Sequence, residues 1–510
     1  MLIFELVIAL LLIGAVLALS ANRLGVPYPA ALALAGAALA LLPGMPAVVL
    51  DPQLALALFV APVLLDAAYD ASPRDLKENL RPLVSLALVV VVVTIAAVAV
   101  VARWFVPEMS WAAAITLGAI VAPPDASAAT AVLRRLRPPH RLLVILEGES
   151  LFNDASALLI YRIAAVAAMT GVVSRWTIAP QLIFTCGGGI VLGYILARLW
   201  ISFLLRVNDI PISIILQFVG TFAIWLLADR LGLSAIITVV TFAMTVARRA
   251  PSTDARHRIA SYAVWEVVVF VLNVLAFVLI GLQLRTIRLH IQAADWHSYS
   301  LCAAAICGTV IVVRMIWVTW YGFMMRRLKR PRAPTFGAGL AIGWSGMRGI
   351  VTLAAALALP DGAPGFPYRD LIILCAFCVV LSTLVIQGLT LRPLMAVLGL
   401  KDDGSVEKEI KLARVETARA ALAGLGKEEQ HPAIEVLRLE YEARIVSGER
   451  AEGLGETRLP GLQRRSVLLQ RQLLLDLRSR SVIGDDAFHA AEEELDLLEL
   501  TADARIKPGP

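Results

Sequence analysis

The chain has 510 residues, of which 59% are hydrophobic and only 17% are charged. Ordinary soluble proteins are about 45–50% apolar and about 25% charged, so this composition excludes a protein that is soluble throughout. The net charge of +6 combines a basic part, residues 1–400 with 29 Lys and Arg against 18 Asp and Glu, and an acidic part, residues 401–510 with 17 against 22. The basic residues lie between long apolar runs, where lipid headgroups meet them, and the pattern does not indicate nucleic acid.

The apolar runs repeat along residues 1–400, and most are long enough to cross a hydrocarbon core of about 30 Å. We predict an all-α polytopic membrane protein with about thirteen transmembrane helices in this part. Residues 401–510 alternate apolar and charged side chains at helical spacing, which predicts a small, mostly helical tail, and we expect this tail to be regulatory. The first run, Met1 to Leu19, ends in a weak cleavage-like triplet but has no positive residue before it, so a membrane helix is favoured over a signal peptide.

Lysine and arginine are divided unequally between alternate loops, with eighteen in one set and six in the other. Cytoplasmic loops of membrane proteins carry the excess of positive charge. The division predicts multi-pass insertion in the inner (plasma) membrane, with the N-terminus outside and the tail in the cytoplasm.

The third and fifth apolar runs each contain an aspartate. An ionisable side chain inside a membrane helix costs about 2.5–3.5 kcal/mol on insertion scales and marks a functional site, so Asp66 in the third run is a candidate. In the fifth run, Pro123 and Pro124 directly precede Asp125. Consecutive prolines remove backbone donors and clash with the preceding turn, which predicts a broken helix. Such breaks form the ion sites of transporters, although Asp125 can also simply cap a half-helix.

The sixth run carries several polar residues, which are Glu147, Glu149, Ser150, Asn153 and Asp154. Residues four apart in a helix share a face, so Ser150 and Asp154 project together. Glu149 points elsewhere and needs a partner of its own. Hard oxygen ligands of this kind suit alkali cations, and the absence of clustered His or Cys from the sequence argues against a transition metal.

The eleventh and twelfth runs each contain an arginine. Arg314 is interpreted as reaching the membrane interface from near a helix end. Arg348 lies among the glycines of the twelfth run, where a guanidinium requires a carboxylate partner; the glycines alone are weak evidence, since helix packing also uses them. If inverted six-helix repeats are separated by one linker helix, runs five and twelve correspond. Paired interruptions of this kind indicate a transport site.

These motifs resemble the cation:proton antiporter family that includes the animal sodium/proton exchangers and their bacterial relatives. The resemblance is carried by Gly148–Asp154, by Gly346–Gly349 and by Phe59–Ala67, and it extends over essentially all of residues 1–400. It implies an antiporter rather than an enzyme. The implied protein is a homodimer whose protomers have thirteen helices, inverted repeats and two crossed broken helices, and it exchanges a monovalent cation for H+ by alternating access without a cofactor.

The resemblance also implies which residues hold the cation. Asp154 would bind cation and proton in turn, and Ser150, Asp66 and the backbone near Asp125 would complete the alkali-cation site. Sodium is the expected cation, with lithium or potassium as alternatives. Desolvation penalises the charged form of a carboxyl group, so a cation and a proton would compete for one site. Net exchange follows if the loaded forms cross the membrane and the empty charged form does not.

Three further residues would act at the helix crossing by the same resemblance. Asn153 would hold the crossed helices together, and Glu149 and Arg348 would form a structural ion pair. Relatives that move more than one proton per cation carry two adjacent aspartates, whereas this chain has Asn153 before Asp154. We therefore expect electroneutral 1:1 exchange that serves pH and sodium homeostasis.

The chain departs from the family pattern at the first break. Bacterial relatives have a hydroxyl residue, then Asp, then Pro, whereas here Pro124 precedes Asp125 and Ala126 follows it. The hydroxyl ligand is missing, and Ser127 or Thr130 would have to replace it. The pattern therefore leaves open which carbonyl near the break faces the ion.

Two other functions also place carboxylates at membrane depth. An intramembrane aspartyl protease would need a Gly-x-Gly-Asp partner for Tyr69–Asp70, and the sequence contains none. A passive cation channel would need rings of carbonyls or charges about an oligomeric axis, whereas these charges cluster on the paired broken helices of one protomer. Antiport is favoured, and flux measurements separate it from a channel because only an antiporter requires a counter-ion.

Overall fold

The structure, a computed structural model, is helical and without strands throughout the residues it describes. Contacts divide the chain into two units, Met1–Lys401 and Asp402–Pro510. The structure describes residues 2–500 except for 25, 44–50, 137, 172–174, 205, 208, 250–254, 292–295, 331–333, 362–364, 426–431, 450–457, 481, 483–487, 489–490 and 493.

The larger unit is a bundle of apolar helices. Its first half consists of α1 (Leu2–Leu24), α2 (Tyr28–Ala40), α3 (Pro52–Asp70), α4 (Leu80–Phe105), the half-helices α5a (Trp111–Val121) and α5b (Ala126–Leu136), and α6 (His140–Thr170). Its second half consists of α7 (Arg175–Leu204), α8 (Ile210–Arg230), α9 (Ala235–Ala247), α10 (Ala255–His290), α11 (Trp296–Arg327), the half-helices α12a (Phe336–Trp344) and α12b (Ile350–Leu357), and α13 (Arg369–Leu398).

Length and composition support the multi-pass class. Within the described residues, nine segments are long and apolar enough to cross a membrane. Three shorter apolar segments accompany them, at Ile8–Ala21, Tyr28–Ala40 and Ala235–Ala247. The predicted all-helical membrane fold is therefore confirmed, while the exact number of thirteen spans and the inverted repeats stay predictions.

Both predicted interruptions are present. The α5 helix stops after Val121 and restarts at Ala126, because the two prolines between them cannot continue the hydrogen-bond ladder. The α12 helix stops after Trp344 and restarts at Ile350. Gly349, directly before α12b, has an extended backbone with φ −129° and ψ −154°, so the chain straightens before the second half-helix begins.

Single π-helical turns interrupt three of the long helices, at Leu56–Val60 in α3, Ser85–Val90 in α4 and Thr383–Gln387 in α13. Such turns disturb the regular ladder and are frequent at functional sites. In α4, the Ala87 carbonyl accepts a bond of 2.7 Å from the Ser156 hydroxyl of α6. In α13, the Thr383 hydroxyl accepts one of 3.0 Å from the Arg348 backbone N–H. Two of the π turns therefore support the helices that form the site.

A glycine brings α5a close to its neighbour α4. A Cβ placed on Gly118 would lie 2.7 Å from the backbone oxygen of Ile95, which is too close for any side chain larger than hydrogen. Small residues permit such backbone approaches in membrane bundles. The close approach fixes α5a, and with it the position at which the helix breaks.

The smaller unit contains three longer helices, α14 (Ser405–Leu425), α15 (Pro432–Glu449) and α16 (Arg458–Ser479). Val467, Leu474, Phe488 and Leu495 form an apolar cluster within it. Beside this cluster, Arg471 pairs with acidic side chains further along the chain. The predicted helical character of the tail is confirmed, and its cytoplasmic position and regulatory role stay predictions.

Candidate cation site at the crossing of the broken helices

The breaks of α5 and α12 meet in the interior of the bundle. The Asp125 backbone N–H donates a hydrogen bond of 2.7 Å to the carbonyl of Met347. Because both residues lie in interrupted segments, their backbone groups are released from helical bonding and pair with each other instead. The structure therefore crosses the two broken helices at the place where the sequence predicts a site.

The Arg348 side chain closes one end of this crossing and is only 1% exposed. Its Nε donates to the carbonyl of Val121 at 3.1 Å, and its Nη2 donates to that of Ala122 at 3.1 Å. Its Nη1 donates to the carbonyl of Gly346. The last carbonyls of a helix carry partial negative charge, so this guanidinium neutralises the end of α5a.

Asp125 lies at the N-terminal end of a half-helix, whereas the Arg348 side chain lies at a C-terminal end. Its Oδ1 accepts bonds from the Ser127 backbone N–H at 2.8 Å and from the Ser127 hydroxyl at 2.6 Å, which caps the start of α5b. The missing side chain of Gly349 faces the Asp125 carboxylate, so a Cβ there would collide with it. One carboxylate therefore lies beside the positive N-terminal ends of both α5b and α12b.

Two residues of α6 attach this helix to the α5 break. The fully buried Asn153 donates from Nδ2 to the carbonyl of Pro124 at 2.8 Å. The Ser150 hydroxyl accepts the backbone N–H of Ala126 at 3.3 Å. The Oδ1 of Asn153 is buried and, in the part of the chain that the structure describes, has no hydrogen-bond partner. This acceptor is a candidate ligand that the sequence analysis did not identify.

Asp154 follows directly on the same helix and is 7% exposed. Among the described residues, the charged side chain that acts on Asp154 is Asp125, and the two carry charges of the same sign. Two neighbouring carboxylates, one buried and the other half-buried, repel each other unless a proton or a cation joins them. The pair therefore forms an acidic, oxygen-rich site beside the helix ends.

The predicted partner of Glu149 was wrong. Glu149 forms a two-pronged ion pair with Arg314 of α11, at 2.5 Å and 2.8 Å, and each side chain is 1% exposed. Arg314 also donates to the carbonyls of Ile342 and Gly343 in α12a. Arg348 is held instead by the carbonyls at the crossing. The position of Arg314 near the middle of a 32-residue helix was the signal against an interfacial side chain.

Asp66 lies in the wall of a cavity of about 290 Å³ that Tyr69, Gln217 and Trp265 also line. Its charged neighbours are Asp70, Arg134 and Glu266. The structure therefore places Asp66 on a cavity formed by α3, α8 and α10 among others, and its predicted role as a direct cation ligand stays a prediction.

The sequence of the larger unit matches a known protein family. The model of the family described as sodium/hydrogen exchanger, transmembrane, matches residues 7–397. The chain belongs to this family, so its resemblance to the sodium/proton exchangers is confirmed, and its class is that of transporters.

Individual relatives support the same placement. A protein of Mycobacterium tuberculosis that is described as an uncharacterized Na(+)/H(+) exchanger is 32% identical, and the match covers 98% of this chain and 96% of that protein. A sodium, potassium, lithium and rubidium/H(+) antiporter of Bacillus pumilus is 33% identical over 68% of this chain and 54% of its own length. The solved sodium proton antiporter MjNhaP1 of Methanocaldococcus jannaschii has a TM-score of 0.64 at 20% identity, covering 78% of this chain and 98% of that one, which shows likeness of fold.

Proposed function

We propose that this protein is a secondary antiporter that exchanges a monovalent cation for H+, with Na+ as the expected cation and Li+ or K+ as alternatives. The observation that carries the proposal is the pairing of the buried Asp154 with the half-buried Asp125 at the helix crossing. The neighbouring arginines are engaged elsewhere, since Arg314 pairs with Glu149 and Arg348 binds helix carbonyls. Family membership and the Na(+)/H(+) antiporters among the relatives support it.

The oxygen atoms around Asp154 define the ligands that we propose. The Asp154 carboxylate and the Oδ1 of Asn153, which has no hydrogen-bond partner among the described residues, lie one residue apart on α6, and the Ser150 hydroxyl lies one turn before them. At the break, the carbonyls of Val121, Ala122 and Pro124 accept bonds from side chains. We therefore assign the Pro123 carbonyl to the ion. Oxygen ligands of this kind suit a hard monovalent cation.

Asp125 and Asp66 act beside this centre in the proposed cycle. Asp125 caps α5b and adds negative charge next to Asp154, and Asp66 attracts cations into the cavity that it lines. A proton and a cation compete for Asp154, and only the occupied site crosses the barrier. The protein acts as a homodimer in the inner (plasma) membrane, with the N-terminus outside and the tail in the cytoplasm, and serves pH and sodium homeostasis.

Purified protein in proteoliposomes tests the proposed exchange. With a pH-sensitive dye inside and an outward proton gradient imposed, external Na+ should accelerate proton efflux, and choline at equal ionic strength should not. The choline arm controls for passive leak. Proton movement that is independent of the alkali cation would contradict the proposal, and Na+ flux without proton counter-flow would indicate a channel.

The proposed stoichiometry is one proton per cation, because Asn153 cannot titrate and Asp125 remains bonded to Ser127. No net charge then crosses, whereas an electrogenic cycle would gain about 2.3 kcal/mol per charge per 100 mV. Potassium/valinomycin potentials of either sign, imposed on proteoliposomes with Na+ as substrate, should leave the reversal point of exchange unchanged. A reversal point that moves with voltage would show that a second carboxylate takes part.

A further inference from the structure

A second cavity lies within the larger unit, and none of the proposed cation ligands lines it. Its volume is about 330 Å³, and its wall combines the starts of α4 and α6 with the end of α11 and with α12a. The residues that matter for its chemistry are Lys77, Arg81, Arg141, Trp317, Tyr321 and Arg330. The four basic members come from three regions that are far apart in the sequence, at residues 77–81, 141 and 330, so only the fold brings them together.

The cavity is strongly positive. Four cationic side chains line it, and the acidic residue in its wall, Glu78, pairs with Arg74 at 3.2 Å. Concave sites lined by charges of one sign concentrate ions of the opposite sign. Arg81 and Arg330 are exposed, so an anion in the surrounding solvent or lipid headgroups can reach them. The charge of the wall therefore selects a negatively charged ligand.

The inner part of the cavity is built from fixed polar groups. The half-buried Arg141 donates from Nε to the Oδ1 of Asn79 at 2.8 Å. Asn79 is itself 6% exposed and donates from Nδ2 to the Asp75 carbonyl at 2.9 Å. On the other side, the Trp317 indole donates to the Ser85 hydroxyl at 3.0 Å. These bonds orient a planar guanidinium beside an aromatic wall, and an oriented guanidinium matches the geometry of phosphate.

We propose that this cavity binds a phosphate-bearing anion, with Arg141 as the fixed anchor and with Arg81 and Arg330 closing over the ligand from the rim. Two sources share this chemistry, an anionic phospholipid headgroup in the adjacent leaflet and a small phosphate compound from solution. The occupied cavity ties α4 and α6 to α12a, whose residues Gly339 and Ile342 line it. Binding therefore raises the thermal stability of the larger unit. The proposal does not depend on which ion is exchanged.

Titration of the full-length protein in detergent tests this site, with thermal unfolding and native mass spectrometry as readouts. The probes are dioctanoyl phosphatidylglycerol, dioctanoyl phosphatidylcholine and glycerol phosphate. In the Arg81→Gln/Arg330→Gln variant, the half-saturating concentration of the bound phosphate probe should rise on the order of tenfold or more. The matched control is Arg23→Gln/Arg206→Gln, which removes two exposed arginines of the same predicted membrane side and should bind like the wild type.

Each outcome decides something about the site. Saturable binding of phosphatidylglycerol alone supports a lipid headgroup, and saturable binding of glycerol phosphate supports a soluble phosphate compound. The Arg141→Gln variant should lose more affinity than the rim variant, and the rim variant keeps the test valid if Arg141→Gln misfolds. Binding that is equal for phosphatidylcholine, absent for every probe, or undiminished in the rim variant would overturn the proposal.

Discussion

Two carboxylates five residues apart on α6 have opposite surroundings. Glu149 lies against the Arg314 guanidinium, which satisfies both of its oxygens, and both side chains are 1% exposed. Asp154 is similarly buried, but its charged neighbour in the described part of the chain is another carboxylate, Asp125. One region therefore has its charge neutralised within the protein, and the other requires a proton or a cation from outside.

The difference shows how one helix can be held rigidly at one residue and still present another residue that binds an ion. A buried ion pair with additional hydrogen bonds stays together, since separating the partners leaves an uncompensated buried charge. Arg314 extends this rigidity to α12a through two carbonyls. Asp154 lies on the same rigid helix, yet the charged group that acts on it among the described residues is a carboxylate and not a cation. The arrangement separates the residues that hold the crossing from the residue that binds the ion.

The largest expected effect is at Asp154. Asp154→Asn keeps the shape of the side chain but removes the exchangeable proton, so cation-driven proton flux in proteoliposomes should fall to background while the protein remains folded. The matched control is Asp229→Asn, because Asp229 forms an exposed pair with Arg162, and it should transport normally. Flux retained in a well-folded Asp154→Asn protein would contradict the assignment of the site.

The next effect tests the geometry of the crossing. In Gly349→Ala, the new methyl group collides with the Asp125 carboxylate, although the backbone at this position suits alanine. Displacement of Asp125 should lower the transport rate on the order of 100-fold. Gly308→Ala is the control, because a Cβ at Gly308 meets nothing within 4 Å. If both variants transport equally, the crossing does not position the ion site.

The third prediction concerns the stability that the buried ion pair of Glu149 and Arg314 provides. Glu149→Gln or Arg314→Met alone should destabilise the protein by about 3–5 kcal/mol, since each leaves a buried charge without its partner. The double variant should lose less than the sum of the two single losses. Thermal unfolding in detergent measures all three. Additive losses would mean that Glu149 and Arg314 do not interact.

The smallest effect is expected from the tail. Ending the chain after Lys401, at the boundary between the two units, removes none of the proposed ligands. Cation-driven proton flux should therefore persist, with a changed pH dependence or rate if the tail regulates the larger unit. The flux of the truncated and full-length proteins is compared at equal density in the same liposomes. Complete loss of exchange in a stably inserted truncation would give the tail a part in transport itself.

The sequence by itself determined the membrane class, the two breaks and the cluster of polar residues on α6, because these depend on local chemistry. Consecutive prolines disrupt a helix wherever they occur, and a carboxylate in an apolar run is costly in any fold. The family motifs depend on such short stretches too, and they identified the class correctly.

Only the tertiary structure decided which charges meet. Arg314 and Arg348 are equally arginines in apolar runs, and their spacing along the chain does not reveal which one reaches Glu149. The choice follows from the packing of α11 and from the carbonyls released at the α5 break, which hold Arg348 in place. The Asn153 oxygen that lacks a hydrogen-bond partner within the described part of the chain, and the basic cavity at Arg141, likewise depend on the packing of residues distant in sequence. Partners at long range are set by three-dimensional packing, which local pattern does not encode.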